Sequence, residues 1–220
     1  AADVHNGGGL AVAADGTIYL SIGDASDADL AQDDTSLAGR VLRFNLDGSI
    51  PTDNPDPASA EFARGLRNPY GLTIYEPTGG VFVTENGPTA NDELNWVRAG
   101  KNFEWPSLPS GVAGRDIGIR VQLWPEGIAP TGLDFASATG TSTGFPAAYE
   151  GSLFVGGYVA AEVLELRLSG AERIDLDRES VFLRLENTRG TQNVLDVAFD
   201  PQGRLYVSTF TSIWRVTPAD

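Results

Sequence analysis

The sequence predicts an all-β fold, a β-propeller, and three observations lead to that prediction. A hairpin pattern of apolar strand, turn and second apolar strand occurs four times. The leucines that anchor the hairpins are separated by 62, 61 and 62 residues, and such even spacing marks a structural repeat. Glycine and proline, at 26 and 13 residues, favour many short strands with tight turns. The four anchors are Leu10, Leu72, Leu133 and Leu195.

The four hairpins take the same form along the chain. Their first strands are predicted at 9–12, 72–75, 133–135 and 195–199, and their returning strands at 18–22, 81–83, 153–155 and 205–208. The segments 41–44, 163–168 and 213–216 predict third strands, each with an arginine pointing outward. No helix is expected beyond a single turn within 28–38.

Sheets of three or four antiparallel strands repeated at a fixed period are typical of a β-propeller. We expect one domain, 1–220, with repeats of about 62 residues near 5–60, 61–122, 123–183 and 184–220. A β-sandwich also has short strands and regular turns, but it lacks this self-similarity. Four blades lie at the small end of the propeller range. A four-bladed ring, a ring that lacks blades and a homo-oligomer whose chains complete one ring all remain open.

Composition excludes several functions. A net charge of −15 and a pI near 4.3 disfavour nucleic acid and anionic membrane surfaces as partners. Absence of cysteine excludes disulfides and thiolate chemistry. No apolar run reaches the roughly 20 residues of a membrane span. Ala1 is not a start methionine, so we expect a processed or trimmed product.

Hairpin geometry places candidate chemical groups at one rim. His5, the only histidine, precedes the first hairpin and Asp24 follows it, with the turn at Asp15-Gly16 midway between them. They are therefore expected side by side. A histidine held by a carboxylate can act as a general base. The alternative is a surface histidine near the N-terminus.

The second hairpin brings Arg67-Asn68-Pro69 against Glu85-Asn86-Gly87-Pro88 in the same way. The segment 85–88, together with Asp92-Glu93, offers hard oxygen ligands that suit Ca²⁺ better than Zn²⁺. A solvated acidic loop is the alternative. A second acidic run is interpreted as a solvated face rather than a calcium loop; it comprises Asp24, Asp27, Asp29, Asp33 and Asp34. Trp124 is either a sugar-stacking plane or a half-buried core residue.

Several motifs, taken together and in order, resemble the soluble quinoprotein (PQQ-dependent) glucose/sorbosone dehydrogenase-like aldose sugar dehydrogenases. The resemblance covers residues 5–106 densely and weakens from Leu123-Trp124-Pro125 onward. The motifs are His5-Asn6-Gly7-Gly8-Gly9-Leu10, Gly23-Asp24, Gly39-Arg40-Val41-Leu42-Arg43, Pro51-Thr52-Asp53-Asn54-Pro55, Gly65-Leu66-Arg67-Asn68-Pro69, Glu85-Asn86-Gly87-Pro88, Asp92-Glu93-Leu94-Asn95, Gly100-Lys101-Asn102-Phe103 and Trp105-Pro106.

The resemblance implies a six-bladed propeller that binds pyrroloquinoline quinone (PQQ) and Ca²⁺, oxidises aldose sugars at C1 and is periplasmic or secreted. It implies that His5 is the catalytic base and that Asp24 is its carboxylate partner. Arg67 would serve both catalysis and cofactor binding. The further implied contacts are Asn68 and Asn86 to the quinone, the carbonyls of Gly87 and Pro88 to Ca²⁺ with Asp92 behind them, and Trp124 to the sugar.

Two departures from the family pattern leave other functions open. Val159, Asn193 and Leu195 stand where the family has cations for the quinone carboxylates, although Arg189 could substitute for one of them. The match also begins at the third of the family's six blades. The alternatives are a non-catalytic truncated propeller that binds a partner, a glycan or its own copy, and a calcium-dependent propeller lactonase.

Overall fold

The computed structural model describes residues 3–107, 117–136, 145–187 and 190–217. The chain divides into two compact units, Ala1–Gly127 and Ile128–Asp220. Both units consist of mainly antiparallel β-sheet, and helical structure in the described residues is limited to the 3-10 turns Ala28–Ala31 and Ala147–Tyr149. None of the described helical segments is long and apolar enough to cross a bilayer. The expectation of little helix, with one turn within 28–38, is confirmed.

The strands of the first unit follow the predicted hairpins and add several more. In chain order they are β1 (Leu10–Val12), β2 (Thr17–Ile22), β3 (Arg40–Asn45), β4 (Glu61–Arg64), β5 (Pro69–Tyr75), β6 (Gly80–Glu85), β7 (Asp92–Val97), β8 (Lys101–Asn102) and β9 (Ile119–Trp124). The first sheet has the order β1-β2-β3-β4-β8 and the second the order β5-β6-β7-β9. Leu10 pairs with Leu20 and Leu72 with Val83, which confirms the first two hairpins.

The second unit repeats this arrangement. Its strands are β10 (Pro130–Phe135), β11 (Leu153–Gly157), β12 (Glu162–Ser169), β13 (Asp175–Arg184), β14 (Glu186–Asn187), β15 (Gly190–Thr191), β16 (Asp196–Phe199), β17 (Leu205–Ser208) and β18 (Ile213–Val216). The third sheet has the order β10-β11-β12-β13 and the fourth the order β16-β17-β18, while β14 and β15 form a separate ribbon. Leu133 pairs with Val155 and Val197 with Val207, which confirms the remaining hairpins.

The core of the first unit lies between its two sheets. Alternate residues of β2 are buried, as expected for a strand with one face in the core. Tyr19 packs edge-on against Phe62, with ring centroids 5.0 Å apart. The other members of this cluster are Val41, Ala63, Leu66, Leu72, Ile74, Val81, Val83 and Val97. This packing holds the two hairpins that carry the candidate site against each other.

The core of the second unit is built around aromatic rings. Phe154 is fully buried, and its ring meets Phe182 at 5.0 Å and Phe199 at 5.3 Å between centroids, in edge-on arrangements. Phe145 and Tyr149 complete the ring cluster. Strand pairs from the third and fourth sheets therefore share one core, as in the first unit.

Two details of the sequence prediction were wrong. Arg43, expected to point outward, is 7% exposed, because its guanidinium lies over the Tyr19 and Phe62 rings and reaches Asp53 at 2.9 Å. Asp92, assigned to a loop, begins β7, which lies between β6 and β9. An inner strand has partners on both sides, so polar residues can be buried in it once they are hydrogen-bonded.

Candidate functional site

His5 and Asp24 form a direct pair, as the hairpin geometry predicted. His5 Nδ1 lies 2.8 Å from Asp24 Oδ1, and Asp24 is 2% exposed. The Ala25 N–H donates to the His5 carbonyl at 3.0 Å, which fixes the backbone of the histidine. A Cβ at Gly23 would lie 2.3 Å from that carbonyl oxygen, so the close approach of the two segments requires glycine.

The hydrogen bonds of Asp24 determine the histidine tautomer. Because a carboxylate can only accept, the proton of the imidazole is assigned to Nδ1, and Nε2 keeps its lone pair. Asp24 Oδ1 also accepts from the Ser26 N–H at 2.9 Å. Asp24 Oδ2 accepts from the indole N–H of Trp105 at 2.9 Å. A buried carboxylate with both oxygens bonded thus holds the ring in one orientation, and the role of His5 as a base stays a prediction.

Arg67 joins the second hairpin to this pair. The Asp24 N–H donates to the Arg67 carbonyl at 2.8 Å. The Arg67 guanidinium donates through one nitrogen to the carbonyls of Asn86 and Gly87, both at 2.8 Å. Its Cζ lies 5.6 Å from the centroid of the Trp105 ring. The expected grouping of His5, Asp24, Arg67 and Gly87 at one edge of the first unit is therefore confirmed.

Glu85 is buried beneath this group at 6% exposure. Its Oε1 accepts the main-chain N–H of Arg67, and its Oε2 accepts from Asn95 Nδ2 at 2.8 Å. Burial raises the pKa of Glu85 to about 8, and the nearby Glu93 contributes in the same direction. Glu85 therefore stabilises the main chain of Arg67 through this hydrogen bond. Because its side chain is buried, Glu85 is unsuitable as the solvent-facing calcium ligand that the sequence suggested.

The amides predicted to contact a quinone lie at the hairpin ends. The Asn86 N–H donates to the Asn68 carbonyl at 3.2 Å, and both side chains are half-buried. This bond extends the pairing of β5 and β6 past Pro69 and Glu85. The two amides are thereby held beside Arg67, while their contact with a cofactor stays a prediction.

The predicted calcium ligands form a tight oxygen-rich turn. The Gly87 N–H donates to Asp92 Oδ1 at 2.8 Å, and Asp92 is 4% exposed. A Cβ at Gly87 would lie 2.0 Å from the Ala90 carbonyl oxygen, so the turn closes only around glycine. Within the described ranges, no three acidic, histidine or cysteine side chains converge on a point that would hold a metal. The Gly87 carbonyl already accepts from Arg67, and a contact of the Gly87 and Pro88 carbonyls with a cation stays a prediction.

The acidic run after Asp24 is a solvated face, as expected. Asp27, Asp29, Asp33 and Asp34 are exposed. The carbonyl groups of this loop converge instead on Arg40, which is 0% exposed. Its guanidinium donates to the carbonyls of Leu30, Ala31, Asp33 and Ala38. These carbonyl oxygens are therefore already hydrogen-bonded to a buried side-chain cation.

Trp124 is 6% exposed and pairs with Asp92 across β9 and β7. So little exposed area matches the core interpretation better than an open stacking plane, and contact with a sugar stays a prediction.

In the second unit, Val159 is exposed and Asn193 Nδ2 donates to the Tyr158 carbonyl at 2.8 Å. Leu195 is half-buried. Arg189, the proposed substitute cation, lies outside the described residues.

Sequence reasoning missed two residues that support the site. Trp105 was noted only within a motif, yet it contacts both Asp24 and Arg67. Gln32, within the acidic run, donates to the Trp105 carbonyl at 2.7 Å. Neither contact has a local signal, since 81 residues separate Asp24 from Trp105 and 73 separate Gln32 from it.

A histidine–carboxylate pair beside an arginine, at the rim of blade-like antiparallel sheets, is an arrangement suited to proton abstraction next to an anionic cofactor. Comparison with known proteins identifies the family. Residues 1–212 match the family described as Glucose / Sorbosone dehydrogenase. The chain therefore belongs to the glucose/sorbosone dehydrogenase family, in agreement with the resemblance.

Relatives of known name support this assignment. An aldose sugar dehydrogenase of Escherichia coli is 29% identical over 235 residues, which cover 97% of this chain and 60% of that protein. A solved glucose dehydrogenase superposes with a TM-score of 0.82 at 26% identity, covering 98% of this chain and 64% of that one. The PQQ-bound aldose sugar dehydrogenase of Streptomyces coelicolor superposes with a TM-score of 0.76 at 29% identity, covering 94% and 57%.

These similarities establish the fold as that of the propeller-type glucose dehydrogenases. The chain spans about three fifths of the length of each of these proteins. The four main sheets found in the described residues correspond to the four predicted repeats. The number of blades in a complete ring, and the single-domain organisation, stay predictions.

Proposed function

We propose that this chain is part of a PQQ- and calcium-dependent dehydrogenase that oxidises aldose sugars at C1. The observation that carries the proposal is the 2.8 Å pair between His5 and the buried Asp24, with Arg67 hydrogen-bonded to the same segment. Family membership supports a dehydrogenase. Two similar proteins, a quinoprotein glucose dehydrogenase of Acinetobacter calcoaceticus and the PQQ-bound Streptomyces enzyme, support the quinone.

His5 is the proposed base. Its Nε2 accepts the proton of the C1 hydroxyl as the C1 hydride leaves with its electron pair. The imidazolium that results is stabilised by Asp24, which already bonds to Nδ1. When bound beside Arg67, PQQ would accept the hydride and its two electrons, and Ca²⁺ held by the carbonyls of Gly87 and Pro88 would act as a Lewis acid on the quinone.

The chemistry of the donor groups fits both cofactors. Arg67 offers a cation to an anionic quinone, and Asn68 and Asn86 offer amide groups beside it. Gly87 and Pro88 offer carbonyl oxygens, with Asp92 behind the turn, and an all-oxygen set is what calcium prefers. Since a carbonyl oxygen has two lone pairs, Gly87 can accept from Arg67 and still ligate a cation. Arg189 stays the proposed replacement for the family's later cations.

The proposal extends to three features of the whole protein. The substrate is a small aldose sugar, and the location is periplasmic or secreted. The proposed homo-oligomer is one in which a second copy of the chain completes the propeller ring. The net charge of −15 disfavours nucleic acid as a partner.

Reconstitution tests the function directly. The purified chain receives PQQ and Ca²⁺, and aldose-driven dye reduction is measured against the same chain without quinone. Activity that depends on both additions, and that H5A abolishes while D33N retains it, supports the proposal. Absence of quinone binding by calorimetry in a folded chain would instead identify a non-catalytic module. Lactone hydrolysis without quinone would identify a lactonase.

A further inference from the structure

Trp105 contacts both halves of the candidate site. Its indole N–H donates to Asp24 Oδ2 at 2.9 Å, on the side of the carboxylate away from the His5 bond. Its ring lies against the Arg67 guanidinium, with Cζ 5.6 Å from the ring centroid. One side chain therefore connects the proton-transfer pair with the cation that is proposed to hold the quinone.

The position of Trp105 is itself fixed by its main chain. Its N–H donates to the Gly65 carbonyl at 2.9 Å, and its carbonyl accepts from Gln32 Nε2 at 2.7 Å. Gln32 and Asn102 exchange reciprocal amide hydrogen bonds, at 3.0 Å from Nε2 to Oδ1 and 2.8 Å from Nδ2 to Oε1. Two separate segments, those of Gly65 and Gln32, thus hold the main chain of the residue that bears the indole, and Asn102 holds Gln32 in place.

Loss of the indole N–H would change what Asp24 can do. With Oδ2 unbonded, a carboxylate that is 2% exposed would keep an unsatisfied buried oxygen. Because the terminal torsion of aspartate has broad preferences, the group could then rotate away from the plane in which it meets Nδ1, which would weaken the hydrogen bond that selects the Nδ1–H tautomer. The imidazole would no longer be held in one orientation and one tautomer.

We propose that Trp105 is a positioning residue for the site. Through its N–H it fixes the plane of the Asp24 carboxylate and thereby the Nδ1–H tautomer of His5. Through its ring face it fixes the Arg67 guanidinium, since arginine stacks favourably on indole. Its link to sugar oxidation rests on the proposed function, whereas its effect on the tautomer does not.

The histidine tautomer can be measured without any cofactor. His5 is the only histidine, so nitrogen NMR of the imidazole reports on this site alone. W105F keeps an aromatic face for Arg67 and removes the N–H. W96F is the matched control, because Trp96 also has a stacked arginine, Arg98 at 5.1 Å, and its Nε1 has no hydrogen-bond partner among the residues that the structure describes.

We expect one neutral tautomer, with the proton on Nδ1, in the wild type and in W96F. W105F should shift the tautomer ratio by about tenfold toward the other form, the effect of losing one hydrogen bond to a charged group. An unchanged ratio in folded W105F would overturn the positioning role.

A second measurement covers the case in which W105F does not fold. D24N converts the acceptor at Oδ2 into an amide, and the indole signal of Trp105 should move. The indole signals of Trp96, Trp124 and Trp214 serve as internal references and should stay in place. A Trp105 signal that stays with them would also overturn the proposal.

Activity separates this proposal from the proposed function. In reconstituted protein, W105F should lower kcat about tenfold with KM within about twofold, while W96F changes neither. If the wild type oxidises no sugar but W105F still shifts the tautomer, the dehydrogenase proposal fails and the positioning role stands.

Discussion

The main-chain N–H of Asp24 donates to the carbonyl of Arg67 at 2.8 Å, which joins the ends of two hairpins that are 43 residues apart in the chain. Through this bond the proton-accepting pair and the guanidinium become parts of one structure. A change on either hairpin should therefore alter the other, and the predictions below depend on that connection.

D24N should lower the kcat of sugar oxidation in reconstituted protein by about 10² or more, because the amide can no longer stabilise the imidazolium. D33N, which removes a charge from the exposed acidic loop, is the control and should stay within about twofold. Steady-state kinetics with dye measures both. If the kcat of D24N also stayed within about twofold of the wild-type value, the role given to the His5–Asp24 pair would be wrong.

R67M should strengthen calcium binding and weaken quinone binding. Arg67 now bonds to the Gly87 carbonyl, so its removal frees that oxygen and takes a positive charge away from the cation. An effect of about tenfold on each dissociation constant is expected for one nearby charge. R98M removes another arginine stacked on a tryptophan, away from the turn, and should leave both constants unchanged. Titration calorimetry measures them, and equal calcium affinity in R67M and wild type would place the metal elsewhere.

E85Q should flatten the pH dependence of stability. Burial raises the Glu85 pKa to about 8 in the folded chain, from an ordinary value of 4.5. As pH rises through this interval the unfolded chain loses its proton while the folded chain keeps it, so the free energy of unfolding falls, by at most about 1.4 kcal/mol per pH unit. Above about pH 8 both states are ionised and the decline ends.

Chemical denaturation from pH 5 to 8, without calcium, tests this expectation. E76Q, in the exposed turn of the same hairpin, is the control and should keep the wild-type slope. A slope for E85Q equal to that of the wild type would mean that Glu85 is ionised in the folded chain throughout this range.

G23A should destabilise the chain by about 1–3 kcal/mol, since the new methyl group would collide with the His5 carbonyl 2.3 Å away. G48A is the comparison. Gly48 has φ +82° but open space around it, so only backbone strain of about 1 kcal/mol is expected there. The imidazole NMR signal should also change in G23A and not in G48A. Equal stability and equal spectra for the two variants would argue against a tight His5–Gly23 approach.

Much of the fold and part of the site could be predicted from sequence for a simple reason. Strand alternation and turn residues act locally, and once a hairpin turn is located, residues at equal distances from it must lie opposite each other. Distances from the two turns thus predict His5 beside Asp24, and Arg67-Asn68-Pro69 against Glu85-Asn86-Gly87-Pro88. The same patterns locate the strand ends of the four hairpins to within three residues, with the largest differences at β5 and β10, which begin at Pro69 and Pro130.

By itself the sequence determined the all-β repeat, the family and the pairs that face each other across one hairpin. Only the tertiary structure decided which distant groups complete the site: the Trp105 indole on Asp24, the Gln32 amide on the Trp105 carbonyl, and the main-chain bond from Asp24 to Arg67. The physical reason is the distance along the chain over which a sequence pattern acts. Local periodicity sets register within a sheet, whereas contacts between sheets depend on how whole faces pack, and no spacing along the chain encodes that.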